Sequence, residues 1–579
     1  MFEFHPEVQI RNARCYNSYF KTFSLSDIWI SDGRILHISP VGSCSLQADN
    51  IVDADGRWMV PGLIDIHMHV ESSMLCPSRF GRLLSSYGVT TVVSEPHEMA
   101  NVRGISGIFD MIEDGKNSPV DIFYAVPSSV PASCPELETT GAILSADDME
   151  TLLHHPGVLC VGEVMNCRQL IQGNALAIRT LLERLRHENT RIPIEGHCPS
   201  LMDLDLSKYL YMGIRSDHTE HNWEELRQRF AAGMFIELQE KTLSREILDH
   251  IREEKLEEHF CFVTDDVMAD TLVEKGHLNW VLRKAMALGY PAPAALYNAS
   301  FTPAKRMNLQ DRGALAPGLL ADFSLLDDLR EWQVHSVYKR GRCIYTNGHS
   351  TLPPEKMPVF TSSYYHSLSI KKPETADFQI KAPLYNGWIH CRLIEVTSGS
   401  TRTRESVRKL PIIKGQIDWQ NTNDILLALV FERYGKSAQV GQGLICGDCH
   451  KRGAVASSFS HDNHNVLVAG KNASDMGLAL KRLQELGGGM VVVEEGHILA
   501  EIDLPIGGIL SADEAPVTAE KLKRVREAMV FLGYRHKNPI MSLATLALPV
   551  SPALKLTDKG LIDVQAAKVV PLFVEMTEA

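Results

Sequence analysis

The chain has 579 residues, of which 44% are hydrophobic and 22% are charged, and this composition excludes a mainly disordered protein. Its net charge of −13 provides no basic surface of the kind that nonspecific nucleic-acid binding requires. A mean hydropathy of −0.09, without an apolar run of about 18 residues, excludes a membrane-spanning helix. The first residues, MFEFHPEVQIRNARC, lack the features of a signal peptide, and we expect a cytoplasmic protein.

The first part of the chain changes character near residue 60. Residues 1–60 are predicted to form short strands, with turns at Asp32-Gly33 and Asp55-Gly56. Residues 61–311 alternate short apolar runs with longer helical patterns, which predicts a (β/α)₈ TIM-like barrel. The alternative, a doubly wound open sheet, would place a Gly-rich phosphate turn after its first strand, and that turn is missing. The eight predicted strands are GLIDIHMHV, GVTTVVSE, VDIFYAV, VLCVGEV, IPIEGH, GIRSDH, MFIEL and FCFVTDD.

The remainder of the chain predicts two further parts. Residues 312–350 return to strands and turns, and we expect them to pair with residues 1–60 in a small two-segment β-sandwich domain. Residues 351–579 predict a C-terminal α/β domain. Its predicted helices are TNDILLALVFERYG, ASDMGLALKRLQELGGG and TAEKLKRVREAMVFLGY, and its predicted strands include NVLVAG and GMVVVEEG.

The first predicted barrel strand carries a His-x-His pair. Side chains alternate along a strand, so His67 and His69 share one face and the apolar Ile64 and Ile66 share the other. The apolar face belongs against the surrounding helices, which directs both imidazoles into the barrel. Two imidazoles aimed at one point can chelate a metal, although the pair alone is equally consistent with two ordinary strand histidines.

Four other strand ends add nitrogen or oxygen donors. Glu163 ends the fourth strand, His197 the fifth, His218 the sixth and Asp265 the eighth. Catalytic groups of such barrels lie at the carboxyl ends of the strands, so these donors are expected to meet His67 and His69. Four histidines and two carboxylates are too many for one tetrahedral site. They predict two divalent metal ions that share a bridging ligand.

The order of these donors resembles the amidohydrolase superfamily. Within it, the phrases VPGLIDIHMHVESSM, GVTTVVSEPHEMANVRG, VGEVM, EGH, SDH, TDD and GALAPG resemble the bacterial adenine deaminase family, and FSHDNHN, LQELGGG and LPIGGILS extend the likeness into the C-terminal region. Many superfamily members bridge their metals with a carboxylated lysine at the fourth strand. Here Glu163 stands at that position, as in adenine deaminases and unlike most cyclic-amide hydrolases.

The resemblance implies an activity and a role for each donor. The activity is hydrolytic deamination of adenine to hypoxanthine and ammonia by a hydroxide that attacks C6, with Asp265 transferring the proton. His97 or Glu98 is the predicted proton donor to ring N1. One metal would be held by His67, His69 and Asp265, the other by His197 and His218, with Glu163 bridging both. Imidazole and carboxylate donors without thiolates suit manganese, iron, zinc or cobalt, and the share of carboxylates favours manganese or Fe(II), with zinc as an alternative.

Several features leave alternatives open. Ser200, Thr219, Gln239 and Val267 depart from the family pattern, and all four could line the purine pocket. The alternative activities are hydrolysis of another aminopurine or of a cyclic amide or imide, and a catalytically silent binding protein is a further alternative. The motif with His461, Asp462 and His464 predicts a turn, a contact with substrate or an extra metal site. We expect a small-molecule purine substrate and a homodimer.

Overall fold

The computed structural model describes residues 5–174, 176–188, 190–354 and 357–574. Residues 1–4 and 575–579 lie outside the described residues. The first and last predicted domains include these chain ends. Two compact units are present. The first consists of Met1–Pro96, Met111–Ser128 and Ser145–Pro358, and the second of His97–Asp110, Ser129–Leu144 and Val359–Ala579.

Eight parallel strands form the centre of the first unit. Five pair in one sheet and three in another. The N–H of Arg215 donates to the carbonyl of Ile194 at 3.0 Å, and a parallel bridge joins Met68 to Asp265. Hydrogen bonds therefore connect the strands around a ring, and all eight predicted strands are confirmed. They are Leu63–Met68, Val89–Ser94, Asp121–Val126, Val158–Val164, Ile194–Gly196, Ser216–Asp217, Phe235–Leu238 and Phe260–Phe262.

Amphipathic helices alternate with these strands. In Ala177–Glu188, for example, Ile178, Leu181 and Leu185 recur at helical spacing and are buried. Asn222 begins its helix with a reciprocal capping box that satisfies backbone N–H groups. The helices that begin within the first unit are Pro77–Ser85, Ala146–Leu153, Cys167–Ile171, Ala177–Glu188, Asp203–Tyr211, Trp223–Ala231, Arg245–Glu253, Ala269–Lys275, Leu278–Ala287 and Ala292–Arg306.

A second, nine-stranded sheet in the first unit joins two distant parts of the sequence. Phe323 pairs with Pro61 in antiparallel register, so the strands before the barrel and those after it share one sheet. The exact limits of a separate β-sandwich domain stay a prediction. The strands are Val8–Asn17, Thr22–Ser31, Arg34–Pro40, Asn50–Asp53, Trp58–Pro61, Phe323–Asp328, Gln333–Lys339, Arg342–Thr346 and His349–Ser350.

The second unit is built on another nine-stranded sheet with helices packed against it. Its core includes Leu427, Leu429, Val468 and Leu480. Its helices are His97–Gly115, whose first residues lie in this unit, Ala473–Leu486, Ala515–Phe531 and Pro539–Ala544. Its strands, in sheet order, are Gln416–Ile417, Thr403–Ile413, Gly387–Val396, Val440–Gly447, Leu426–Phe431, Val466–Gly470, Ala454–Ser457, Gly489–Glu494 and His497–Asp503, and a small separate sheet contains Leu554–Thr557, Gly560–Asp563 and Lys568–Val570.

One predicted helix of this unit is wrong. The segment TNDILLALVFERYG contains the strand Leu426–Phe431, and every residue of that strand is buried. A short apolar run that is buried on both faces has no strand periodicity, so pattern alone does not separate it from a buried helix. The helices predicted at ASDMGLALKRLQELGGG and TAEKLKRVREAMVFLGY are confirmed as Ala473–Leu486 and Ala515–Phe531. Among all described residues, no helix is both long and apolar enough to cross a lipid bilayer.

A buried lysine makes the stability of the second unit dependent on pH. Lys555 is fully buried, and its Nζ donates to the carbonyl of Thr401 at 2.8 Å. Burial lowers the pKa of Lys555 to about 7 from an ordinary value of 10.5. The unfolded chain therefore binds more protons than the folded chain between these values, and the free energy of unfolding rises with pH across that window.

We expect Lys555→Met to raise the thermal unfolding midpoint at pH 7 by about 5 °C relative to the unsubstituted chain, and to raise it much less at pH 10. The variant removes a buried charge whose cost disappears as the lysine deprotonates. Scanning calorimetry at both pH values measures the two differences. Lys537→Met, at an exposed lysine, should show neither. An equal difference at both pH values for Lys555→Met would show that the buried ammonium is not the cause.

Candidate metal centre

The carboxyl ends of five barrel strands bring together the six side chains that the sequence predicted as donors. Five of the six side chains are buried, and His197 is partly exposed, with 33% of its side chain accessible. All six lie within the first unit. They are His67, His69, Glu163, His197, His218 and Asp265.

The first strand directs its two histidines into the barrel, as its alternation predicts. Ile64 and Ile66, on the other face, pack in a cluster with Ala304 of the outer helix Ala292–Arg306. The ring of His67 stacks on that of His218, with 3.7 Å between centroids. The apolar face of this strand is therefore anchored against a helix, and this packing fixes the direction of both imidazoles.

Three of the donors form one group. The Nε2 of His69 lies 3.4 Å from Oδ1 of Asp265, and the Nε2 of His67 lies 3.7 Å from the same oxygen. One donor atom from each residue lies within 4.8 Å of the other two. Asp265 adopts a φ of 60°, a left-handed conformation that is uncommon for residues other than glycine. Such strained residues cluster at functional sites, and here the conformation holds the carboxylate beside both rings.

The other three donors form a second group around Glu163. Its Oε2 lies 2.7 Å from Nδ1 of His197 and 3.2 Å from Nε2 of His218. Its Oε1 faces the first group, at 3.5 Å from Nε2 of His69. The two oxygens of one carboxylate therefore point to two different sets of donors, which is the arrangement that a bridging ligand requires.

The electrostatic environment favours ionised carboxylates and a neutral His67. Burial alone would raise the pKa of Glu163, but the adjacent His197 and His218 lower it well below its ordinary value. Burial likewise opposes ionisation of Asp265, yet the adjacent His67 and His69 lower its pKa well below the usual range. Burial and the nearby His218 lower the pKa of His67 to about 4. Burial alone would lower the pKa of His218 as well, but the adjacent Glu163 raises it above its ordinary value. Both carboxylates are thus ionised, and His67 is neutral near pH 7.

Neighbouring residues hold the donors in place. The sequence did not identify them as positioning groups. The side-chain amide of Gln239 donates to Oδ2 of Asp265 at 2.7 Å and to the carbonyl of His218 at 2.9 Å. The carbonyl of Glu95 lies 2.9 Å from Nδ1 of His69. Such partners fix ring orientation in metal sites. Their signal in the sequence is their place at or beside strand ends, which is too general to identify them.

The chemistry of this donor set fits divalent transition metals. Imidazoles and carboxylates without thiolates suit manganese, iron, cobalt and zinc. The Nε2 of His67 is buried and has no hydrogen-bond partner among the described residues. A buried polar atom without a partner is costly, and a bound cation would remove that cost. The residues present therefore fit the metal that the donor pattern implies.

A cavity of about 550 Å³ is lined by residues that follow the sixth and seventh strands, and none of the six donors is among them. Lys241 contributes to its lining, and the Nζ of Lys241 lies 3.6 Å from Oδ2 of Asp265. Other lining residues, including His221 and Trp223, follow the sixth strand. The cavity belongs to the first unit, and Lys241 connects its lining to Asp265.

The two predicted proton donors lie in the second unit. His97 and Glu98 begin the helix His97–Gly115, and the carboxylate of Glu98 contacts the rings of His461 and His464. Burial alone would raise the pKa of Glu98, but the two imidazoles lower it well below its ordinary value. Glu98 is therefore held as a carboxylate. The FSHDNHN motif, for which the sequence left three interpretations open, supplies the histidines of this contact.

Comparison with known proteins agrees with both parts of the chain. Residues 58–344 match the amidohydrolase family, and residues 400–568 match the adenine deaminase C-terminal domain. An adenine deaminase of Clostridium perfringens is 42% identical over 98% of this chain and 99% of its own length. Adenine deaminase 2 of Shouchella clausii is 45% identical over the same shares. An adenine deaminase of Thermosipho africanus is 34% identical over 99% of this chain and 97% of its own. With likeness at these levels over nearly its whole length, the chain belongs to the adenine deaminase family of amidohydrolases.

Proposed function

We propose that this protein hydrolyses adenine to hypoxanthine and ammonia. The observation that carries the proposal is the position of Glu163, whose two oxygens face two separate groups of donors in the barrel. The names and full-length coverage of the relatives support the same reaction. The reaction balances as adenine plus water giving hypoxanthine plus ammonia, with the C6–N bond broken and a C6–O bond formed.

Each donor group is proposed to hold one divalent cation, with manganese or Fe(II) favoured and zinc as an alternative. Bound cations supply an activated water at neutral pH, since coordination lowers the pKa of water from 15.7 to about 7. The ligands of the first cation are His67, His69 and Asp265, those of the second are His197 and His218, and Glu163 is shared. Ionised carboxylates and neutral imidazoles are the forms that bind cations.

Asp265 is proposed to carry the proton between the attacking water and the departing amine. Its Oδ2 accepts from the amide of Gln239 at 2.7 Å, while its Oδ1 faces His67 and His69. This hydrogen bond fixes the carboxylate, and the Nζ of Lys241 lies 3.6 Å from the same Oδ2. A carboxylate in that position can accept the proton released by water and deliver it to nitrogen.

The assignment of His97 or Glu98 as the proton donor to ring N1 stays a prediction. A cyclic-amide hydrolase, the alternative from the same superfamily, would be expected to carry lysine at position 163. A silent binding protein would have no physical need for six convergent donors, which are costly to bury without a cation. The dimeric state and the cytoplasmic location stay predictions.

The test is turnover by the purified, Mn²⁺-loaded chain. We expect adenine to yield ammonia and hypoxanthine in equal amounts, followed by coupled ammonia detection and by purine absorbance. A cyclic amide such as dihydroorotate should remain intact under the same conditions. Ring opening of the cyclic amide, or binding of adenine without ammonia release, would contradict the proposal and favour one of the two alternatives.

A further inference from the structure

The second unit contains another group of histidines and carboxylates, and the role predicted for His97 or Glu98 leaves its other three members unexplained. Two members begin the helix His97–Gly115, and the others lie in the loop before the strand Val466–Gly470. Every member is at least nine-tenths buried, with exposures of 5% or less. We call this group the interior cluster, and its members are His97, Glu98, His461, Asp462 and His464.

The donor atoms of the interior cluster converge on one point. The Nε2 of His97 lies 3.6 Å from Oε1 of Glu98 and 3.7 Å from Oδ1 of Asp462. The Nδ1 of His461 lies 3.5 Å from the same Asp462 oxygen and contacts Oε1 of Glu98. His97, Glu98, His461 and Asp462 each place one donor atom within 4.8 Å of the others. With metal–ligand bonds of about 2.1 Å, neighbouring donors of a tetrahedral site are separated by about 3.4 Å.

The charges of the interior cluster are not balanced by lysine or arginine. Every ion-pair partner that the described residues give to Glu98 and Asp462 is a histidine. The nearby buried Arg433 donates instead to the carbonyl of Gly507 at 2.7 Å. The Oδ2 of Asp462 is buried and has no hydrogen-bond donor among the described residues. Two buried carboxylates in this state are costly, and a divalent cation would neutralise both.

We propose that His97, Glu98, His461 and Asp462 bind one divalent transition-metal ion, in addition to the pair proposed in the barrel. Two imidazoles and two carboxylates suit manganese, iron or zinc. His464 contacts Oε2, the other oxygen of Glu98, and so orients this ligand without being one. The ion would connect the start of one helix to a loop far along the chain, since 366 residues separate Glu98 from His464. Metal binding of this kind contributes directly to folding stability.

The experiment counts manganese on the full chain. The protein is stripped with a chelator and reloaded with MnCl₂, and bound manganese per chain is measured by inductively coupled plasma mass spectrometry. We expect Asp462→Asn to bind one equivalent less than the unsubstituted chain. Asp424→Asn, the same change at an exposed residue of the second unit, should lose nothing. Equal manganese content in the Asp462→Asn variant and the unsubstituted chain would overturn the proposal.

A second comparison separates this site from the barrel site. Glu163→Gln and the double variant Glu163→Gln/Asp462→Asn are measured in the same way. If the two sites are independent, Asp462→Asn should remove one equivalent of manganese both from the unsubstituted chain and from the Glu163→Gln chain. This holds even if the barrel binds no manganese. Loss only when Glu163 is intact would overturn a separate site.

A spectroscopic readout covers the case in which Asp462→Asn does not fold. Pulsed EPR of the Glu163→Gln chain loaded with Mn²⁺ should show nitrogen coupling to bound manganese, and the coupled signal should fall by one equivalent in His461→Gln. His390→Gln, at a partly buried histidine of the same unit, is the matched control. A signal unchanged by His461→Gln would contradict the assignment, because it would show that His461 does not coordinate manganese. The interior cluster would then be an ionic network of protonated histidines without a metal.

Discussion

Glu163→Gln is expected to lower the turnover of adenine by at least about 10³-fold, because one carboxylate serves both donor groups. The amide keeps the size of the side chain but cannot bridge two cations as an anion. Loss of the carboxylate also leaves His197 and His218 without the negative charge that lies 2.7 and 3.2 Å from them. The variant should therefore lose at least one equivalent of metal as well as activity.

Metal analysis and kinetics on the same preparation test this expectation. Glu183→Gln supplies the control, because it makes the same chemical change at an exposed residue of the first unit. It should retain full metal content and full turnover. A Glu163→Gln variant that kept all of its metal and its activity would show that the bridging position is misassigned.

Asp265→Asn should lower kcat by about 10²- to 10⁴-fold while retaining most of its metal. Asparagine keeps an oxygen that can remain near His67 and His69, but it cannot accept the proton from water. The Gln239 amide, which donates to Oδ2 of Asp265, would then face an uncharged group. Loss of kcat with preserved metal content is the signature of a proton carrier, whereas a simple ligand would lose both together.

The neighbouring Asp266→Asn serves as the matched control for this variant. Its side chain is exposed and accepts a hydrogen bond from Ser72. We expect a change in kcat of less than about tenfold, since the hydrogen bond survives as a neutral one. Equal losses from Asp265→Asn and Asp266→Asn would remove the distinction between the two carboxylates on which the assignment depends.

The barrel and its donors could be predicted because the signal is local. Strand alternation separates His67 and His69 from Ile64 and Ile66, and each later donor ends a recognisable apolar run. Parallel strands in a barrel deliver their carboxyl ends to one face, so local positions translate into a shared site. That geometric rule is the reason why six donors could be named without coordinates.

Other features depend on contacts that no local pattern encodes. Leu426–Phe431 has the composition of a helix interior, and only its place in the middle of a sheet makes it a strand. The interior cluster joins two motifs that the sequence shows separately, and their pairing is a long-range event. Gln239 was visible only as a departure from the family pattern. Its hydrogen bond to Asp265 depends on how neighbouring strands align.

The central claim is that Glu163 stands between two cations at the mouth of the barrel. An anomalous-difference map from crystals of the Mn²⁺-loaded chain tests it directly. We predict two peaks flanking the Glu163 carboxylate, one in contact with His67, His69 and Asp265 and the other with His197 and His218. A map with no peak at these residues, or with a single peak that does not touch Glu163, would contradict it.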